Sequence, residues 1–460
     1  MLGKILLSKL VLFVICVGAF AGDVKLPPVT ERTLDNGLSV VVVENHELPI
    51  VYMKMVIVAG SLYDPQELGG LASFSADMIR KGTKTRTAVE IAEAIDFVGG
   101  SLNSSADRDA IYVNARVLVK HFDIALGVLS DIVLNPVFDE DEIERKRKKT
   151  LSEIIQSKDN PSRVCANAFN EMLFGAHPYG HPPIGTRESV SAITKDDIIN
   201  FYDTYFRPNN SILVIAGDIE PIDAVARIAD AFRDWQRATI PDLSITSPAM
   251  PEGHEILLID KPDATQTYIR FGNFGITRDN DDYYPFLVMN YTLGSGVSFV
   301  NRLMQQVRDD AGLTYDIRTV NEFHLLPGAY YCNTFTENDS TLKAVNAAIG
   351  IMKDMAENEV SDDEFKNAVS FWSGFYPMML ETPSQVANEI IKTEVYNLPV
   401  SYIEHFAKNI KKVKKKDIRR IAKKLIDTDN MVFVVVSNAA DVKDDLQKLG
   451  TVTVKNIDEF

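Results

Sequence analysis

The segment Ser211–Gly217 (SILVIAG) follows Asn209-Asn210, and Met431–Val436 (MVFVVV) follows Asp429-Asn430. Each apolar run is short, rich in β-branched residues and preceded by turn residues, which argues for a buried strand. The elements leading up to the two runs fall in similar order, with an offset of roughly 210–220 residues, although few residues are identical between them. The first half reads as a hairpin over Arg32–Val43 turning at Asn36-Gly37, then a strand over Val51–Val58. Helices follow at about Leu71–Lys81 and Val89–Val98, a strand at Ala110–Leu118, and helices at His121–Ile132, Phe138–Ser157, Lys195–Tyr205 and Ala224–Trp235. Asp139 with Glu142 three residues on is an acidic version of the capping box. The second half reads as strands at Glu255–Ile259, Thr267–Gly272 and Tyr330–Thr336, with helices at Tyr284–Leu293, Val300–Asp310, Thr341–Glu357 and Asp362–Met379. Residues 236–254 are rich in Pro, Thr and Ser without periodicity, and read as a linker. The expected architecture is α+β: two similar halves, 22–235 and 255–460, each a mostly antiparallel sheet with helices on one side.

With 460 residues, 46% of them hydrophobic, the chain is long enough for more than one core. Residues 1–21 read as a secretory signal: Lys4 and Lys9 at the basic end, an apolar stretch over Leu10–Gly18, and Ala19-Phe20-Ala21 as cleavage site. The apolar stretch is about half the ~20 residues a membrane span needs, and the alternative is an uncleaved anchor. Export to a bacterial periplasm is the expectation. The net charge is −16, and loss of Lys4 and Lys9 makes it more negative, which argues against nucleic acid and anionic lipid as partners. The basic run Lys411–Lys416 reads as the solvated start of a helix. Cys165 and Cys332 lie in opposite halves, and buried free thiols are expected rather than a disulfide.

The stretch Gly69–Thr83, GGLASFSADMIRKGT, puts Ser73 and Asp77 four residues apart on one helix face, with Ala76 beside them and Gly82 at the helix end. It resembles the pitrilysin/insulinase family of zinc peptidases, in the branch of the processing peptidases, and the likeness covers nearly the whole chain after the leader. In that family the same Gly-Leu-Ala and Lys-Gly-Thr frame surrounds His-x-x-Glu-His, two zinc-binding histidines and a general base. Ser73 and Asp77 stand where the histidines belong, and Ala76 where the base belongs. The family's third ligand, a glutamate on a second helix, falls on Glu153, and the acidic position seven residues earlier holds Lys146. The resemblance therefore implies no zinc in this chain. Glu153 has an equally good reading as an ion pair with Lys149. His177-Pro-Tyr-Gly-His181 looks like a family loop packed near the domain surface.

The second half carries Gly294-Ser295-Gly296, then Asn301-Arg302, then Arg308 and Gly312-Leu313-Thr314-Tyr315. This resembles the family's Arg-x-x-x-Gly-Leu-x-Tyr element, whose arginine and tyrosine reach across a cleft to position substrate and steady a developing oxyanion. The plain alternative is a local salt bridge and a core tyrosine. Asn103 matches a family position beside the edge strand that pairs with extended peptides, with Gly294 and Gly296 as further substrate contacts; an exposed loop at Asn103 is the alternative. What the resemblance implies is a zinc-free subunit that works with a zinc-bearing, His-x-x-Glu-His partner on unfolded peptides and supplies Arg308 and Tyr315 in trans. A non-enzymatic scaffold or peptide-binding protein of the same fold is the other reading.

Overall fold

The computed structural model describes residues 26–296 and 299–460, so the expected signal segment lies outside the described residues. The first half forms a six-stranded sheet from β1 (Val29–Thr33), β2 (Ser39–Glu44), β3 (Ile50–Ile57), β4 (Ser101–Ala106), β5 (Ile111–Leu118) and β6 (Ser211–Gly217). The second uses β7 (His254–Asp260), β8 (Gln266–Phe274), β9 (Ile317–Phe323), β10 (Pro327–Glu337), β11 (Met431–Ser437) and β12 (Thr451–Asn456). Their orders are β1-β2-β6-β3-β5-β4 and β12-β7-β11-β8-β10-β9. The two apolar runs, β6 and β11, thus occupy the same place in each sheet, and all seven residues of each are buried. Most neighbours are antiparallel; β2–β6, β7–β11 and β7–β12 are parallel. The repeat breaks at one edge. There β1 folds back on β2 through a turn at Gly37 (φ +94°), whereas β12 arrives from the far end of the chain and lies parallel to β7.

Each sheet has both faces covered, and the two covers come from different halves. Val40, Val42, Met53, Met55, Leu213 and Ile215 face the first half's own helices. On the opposite face Val41, Val43, Ile212, Val214 and Ala216 meet Val386, Ala387, Ile390 and Ile391 of the Pro383–Val395 helix, which belongs to the second half. Reciprocally, the Pro161–Phe174 helix lays Val164, Cys165, Ala168 and Phe169 on Val432, Val434, Leu257 and Ile259 of the second sheet. Each large apolar side chain so buried contributes roughly 1.5–3 kcal/mol. The exchanged helices start alike, with Asn160-Pro161 and Thr382-Pro383 as cap and first residue. Lys54 of β3 crosses the same seam, its ammonium 3.0 Å from Ser384 Oγ and 2.5 Å from Asn388 Oδ1. Cys165 and Cys332 are buried free thiols in separate cores, and burial pushes Cys165 up to about 12.

Several local readings need correction. The helix expected to reach Lys81 stops at Met78; the chain continues in shorter-range turns (Arg80 N–H to Asp77 O, Lys81 N–H to Met78 O), and Gly82 (φ +141°) closes a bridge with Thr87. Asp139 does cap the Glu140–Ser157 helix, but Glu142 bonds Arg145 at 2.5 Å rather than closing the box. The expected helix at Val300–Asp310 is a π-helix over Met304–Asp310. The His177–His181 loop is not a surface feature: Tyr179 is fully buried, and its backbone N–H donates to His177 Nδ1 at 3.0 Å.

Candidate functional site

Asp64 sets the geometry of the Leu71–Met78 helix. Its carboxylate accepts the backbone N–H of Gly70 (2.7 Å) and of Ala72 (2.8 Å), so a buried acid fills the role of an N-cap side chain. Gly70 (φ +97°) lets the chain enter there, and a Cβ at this position would lie 2.7 Å from Ile184 O. The helix is thereby clamped between the sheet and the Pro182–Gly185 loop, with Ser73 and Asp77 directed into a cavity of about 470 Å³. Lys146 and Glu153 of the Glu140–Ser157 helix, Ser104 of β4 and Asn167 line it further. Helix spacing therefore placed Ser73 and Asp77, and the family resemblance Lys146 and Glu153, around one cleft. Ala76 is fully buried among apolar neighbours and offers no group that moves a proton.

Asp77, Lys146, Ser104 and Glu153 in the cleft already have partners within the chain. The Lys146 ammonium, with its side chain 10% exposed, donates to Asp77 Oδ2. Arg80 Nη2 lies 3.4 Å from the other Asp77 oxygen, and its Nε donates to Ser104 Oγ at 2.7 Å. Glu153 makes the i,i+4 pair with Lys149 at 3.6 Å. A fixed ammonium thus sits against the one carboxylate on the short helix. Three ligands with an open fourth position define a hydrolytic zinc site; here the donor set is a serine, an already paired aspartate and a glutamate. It does not fit zinc.

Asn103 is on β4 itself, the edge strand, and its Oδ1 accepts from Asn114 Nδ2 of β5 at 3.2 Å. No other described strand pairs with the outer edge of β4. Asn103 is thus exposed on a strand rather than in a loop, and the turn beyond β4 is buried: Arg108 is 7% and Asp109 1% exposed. Asp109 is a residue the sequence reading passed over. It accepts from Tyr179 Oη (2.7 Å), His324 Nδ1 (3.2 Å), Leu325 N–H (3.3 Å) and Tyr396 Oη (3.3 Å), joining both halves.

Arg308 lies near the end of the π-helix, and Gly312 (φ +65°, with open space around it) turns the chain back so that Tyr315 returns to it. The Arg308 guanidinium carbon is 5.2 Å from the Tyr315 ring centre and 5.7 Å from that of Phe299. Its polar contact among the described residues is Asp309, at 3.2 Å. Tyr315 is 73% exposed and Phe299 71%. Tyr315 is therefore not a core tyrosine. The turn is pinned from behind by Thr336, whose hydroxyl donates to Leu313 O at 2.5 Å. Gly294 and Gly296 flank Ser295, which bridges Thr319 of β9; a Cβ on Gly294 would meet Leu303 at 2.6 Å, so tight packing accounts for that glycine. Arg302 is a structural residue, paired with Glu364 (2.6 Å) and Asp354 (2.7 Å). The Arg302 hydrogen bonds hold the Glu364 carboxyl down at about 2. Among the described residues none of the second half lines the Ser73–Asp77 cavity, so the structure does not bring Arg308 and Tyr315 to that cleft within one chain.

Two similar α+β halves with a short clamped helix and an open edge strand define the fold of a metallopeptidase-like protein. Residues 39–187 match the family described as insulinase (peptidase family M16), and residues 192–370 match the peptidase M16 inactive domain. The chain belongs to the insulinase family, peptidase family M16. An uncharacterized zinc protease of Mycobacterium leprae is 28% identical over 87% of this chain and 89% of its own length. One from Bacillus subtilis is 24% identical, over 88% and 97%. Among solved structures, a peptidase M16 inactive domain from Pseudomonas fluorescens superposes with TM-score 0.82 at 25% identity, covering 89% of this chain and 98% of that one. A Helicobacter pylori protease has the same fold, with TM-score 0.83 at 19% identity, over 90% of this chain and the whole of the other.

Proposed function

We propose that this chain is the zinc-free subunit of a two-chain insulinase-family peptidase, exported to the periplasm, which holds peptide and lends Arg308 and Tyr315 to a partner's zinc site. The observation that carries this reading is Lys146. Its ammonium occupies the side of Asp77 where a divalent ion would need an unpaired carboxylate. Relatives are named zinc proteases, yet Ser73, Ala76 and Asp77 supply neither imidazole nor base. The catalytic ion and the water it acidifies then belong to a partner with an intact His-x-x-Glu-His motif. This chain's part is what its own groups support. The open side of β4 offers backbone N–H and C=O groups to an extended peptide. The exposed pair of guanidinium and phenol, both donors, suits an oxygen that gains negative charge.

The chain mixed with its catalytic partner should cleave an unfolded peptide that the chain alone leaves intact. Arg308→Ala should lower the pair's kcat by roughly a hundredfold, and Tyr315→Phe by tenfold or more, the range found for single oxyanion donors. The complex should still elute as one species, because neither residue is buried in this chain. Unchanged turnover in both variants would remove the in-trans role and leave the scaffold reading.

A further inference from the structure

A second group of ligating side chains lies at the other end of the first sheet. β2 and β6 are parallel neighbours and end together, with Glu44 opposite Gly217. Just beyond them the chain places His46, Asp218 and Glu220 side by side. His46 Nδ1 is 2.6 Å from Asp218 Oδ1, and His46 Nε2 is 2.9 Å from Glu44 Oε1 and 4.0 Å from Glu220 Oε1. One donor atom from each of Glu44, His46 and Glu220 lies within 4.8 Å of the others. From this arrangement we infer that the chain, zinc-free at the Ser73–Asp77 cleft, binds one divalent transition ion of the zinc type elsewhere, at Glu44, His46 and Glu220, with Asp218 orienting the imidazole.

Three features support the assignment. First, the donor set is mixed: one imidazole nitrogen and two carboxylate oxygens, with solvent access for a water as fourth ligand, since His46 is 47% and Glu220 75% exposed at the side chain. Zinc bonds of about 2.0–2.2 Å put tetrahedral ligands about 3.3–3.5 Å apart, between the two separations seen at Nε2. Second, the Asp218–His46 contact is the carboxylate–imidazole pairing that fixes the other ring nitrogen as a ligand. The cluster's ionic partner among the described residues is the imidazole itself; no lysine or arginine neutralises it. Third, the equivalent corner of the second half is built differently. There Asp260, opposite Ser437 at the joint end of β7 and β11, spends its carboxylate on the backbone N–H of Ala439, capping the next helix. In the first half the following helix, Pro221–Ala231, has Glu220 at its cap position with no side-chain cap bond, and Glu44 faces His46 instead. The ion would tie together the ends of β2 and β6 and the start of that helix. It sits outside the Ser73–Asp77 cavity, whose lining includes none of these residues.

The test is titration of the purified full chain, stripped with chelator, with zinc followed by calorimetry and with cobalt followed by its visible absorption. One saturable equivalent is expected. His46→Ala and Glu44→Gln should each weaken it at least tenfold, and Asp218→Asn by 10–100-fold. Asp77→Asn and Glu153→Gln should leave it unchanged. Circular dichroism in chelator should match the unaltered chain for every variant, since each of the five substituted side chains is at least 26% exposed. No one-to-one isotherm, or equal affinity in His46→Ala, overturns the assignment. An ion lost on Asp77→Asn but kept in His46→Ala would overturn both this site and the zinc-free reading of the other cleft.

Discussion

Asp109→Ala is expected to destabilise the fold by about 3–5 kcal/mol, the range for removing one partner of a buried charged pair. Four donors converge on this carboxylate, which is 1% exposed: Tyr179 from the first half, and His324, Leu325 and Tyr396 from the second. Removing it strands the Tyr179 hydroxyl and a ring that is only 17% exposed, while Tyr396 keeps Phe323 O at 3.0 Å. Burial opposes charge on His324, but the hydrogen bond to Asp109 and the Glu322 carboxylate 3.7 Å from the other ring nitrogen prevail and raise it from 6.5 to about 9. The imidazolium is thus bound more tightly folded than unfolded. Its stabilisation is complete below pH 6.5 and lost as pH rises through about 9, a change on the order of 3 kcal/mol. Urea unfolding at several pH values should show this decline in the unaltered chain and a flatter profile in His324→Gln. A loss below about 1 kcal/mol in Asp109→Ala, within the range of an ordinary hydrogen bond, would mean that the two halves are not joined through this carboxylate.

Rebuilding the ion site should depend on Lys146. Ser73→His with Asp77→His restores the two missing ligands on the helix face that already lines the cavity beside Glu153. With Lys146 retained, zinc should bind weakly. An ammonium about 5 Å from a doubly charged ion repels it by roughly 2–7 kcal/mol for dielectric constants between 80 and 20. Adding Lys146→Gln should therefore tighten zinc by more than tenfold. The comparison is cleanest in a His46→Ala background, where the other cluster does not compete. Equal zinc affinity with and without Lys146→Gln would show that the ammonium is no obstacle and would take away the main support for a zinc-free role.

Most strands and helices were legible because their apolar periodicity is local, but β4, β9 and β12 were not read. β6 and β11 were read almost to the residue, and the Asn36-Gly37 turn was plain from its dipeptide. Both exchanged helices, Pro161–Phe174 and Pro383–Val395, went unread. Their apolar residues answer to a sheet in the other half, although Asn-Pro and Thr-Pro starts were there to be seen. In the Ser73–Asp77 cleft the spacing gave the right neighbours, because i,i+4 geometry on one helix is fixed. It could not give the pairing of Lys146 with Asp77, which joins residues 69 apart. Asp109 was missed for the same reason. A lone acid after Asp107-Arg108 carries no signal until Tyr179, His324 and Tyr396 are folded around it. His46 stood in view, but Asp218 and Glu220 are far from it in sequence and reach it through a parallel strand pair.

Because each half roofs the other's sheet with its own Pro-initiated helix, the chain cannot hinge apart like a clam at residues 232–253 without baring Val41, Val214, Val432 and Val434 to water. A fragment cut there would carry a greasy wall with its lid left behind, and should precipitate unless its sister fragment is made beside it. On the two-chain proposal, the gate that admits a peptide opens between whole molecules, since the interior seam is latched from both sides.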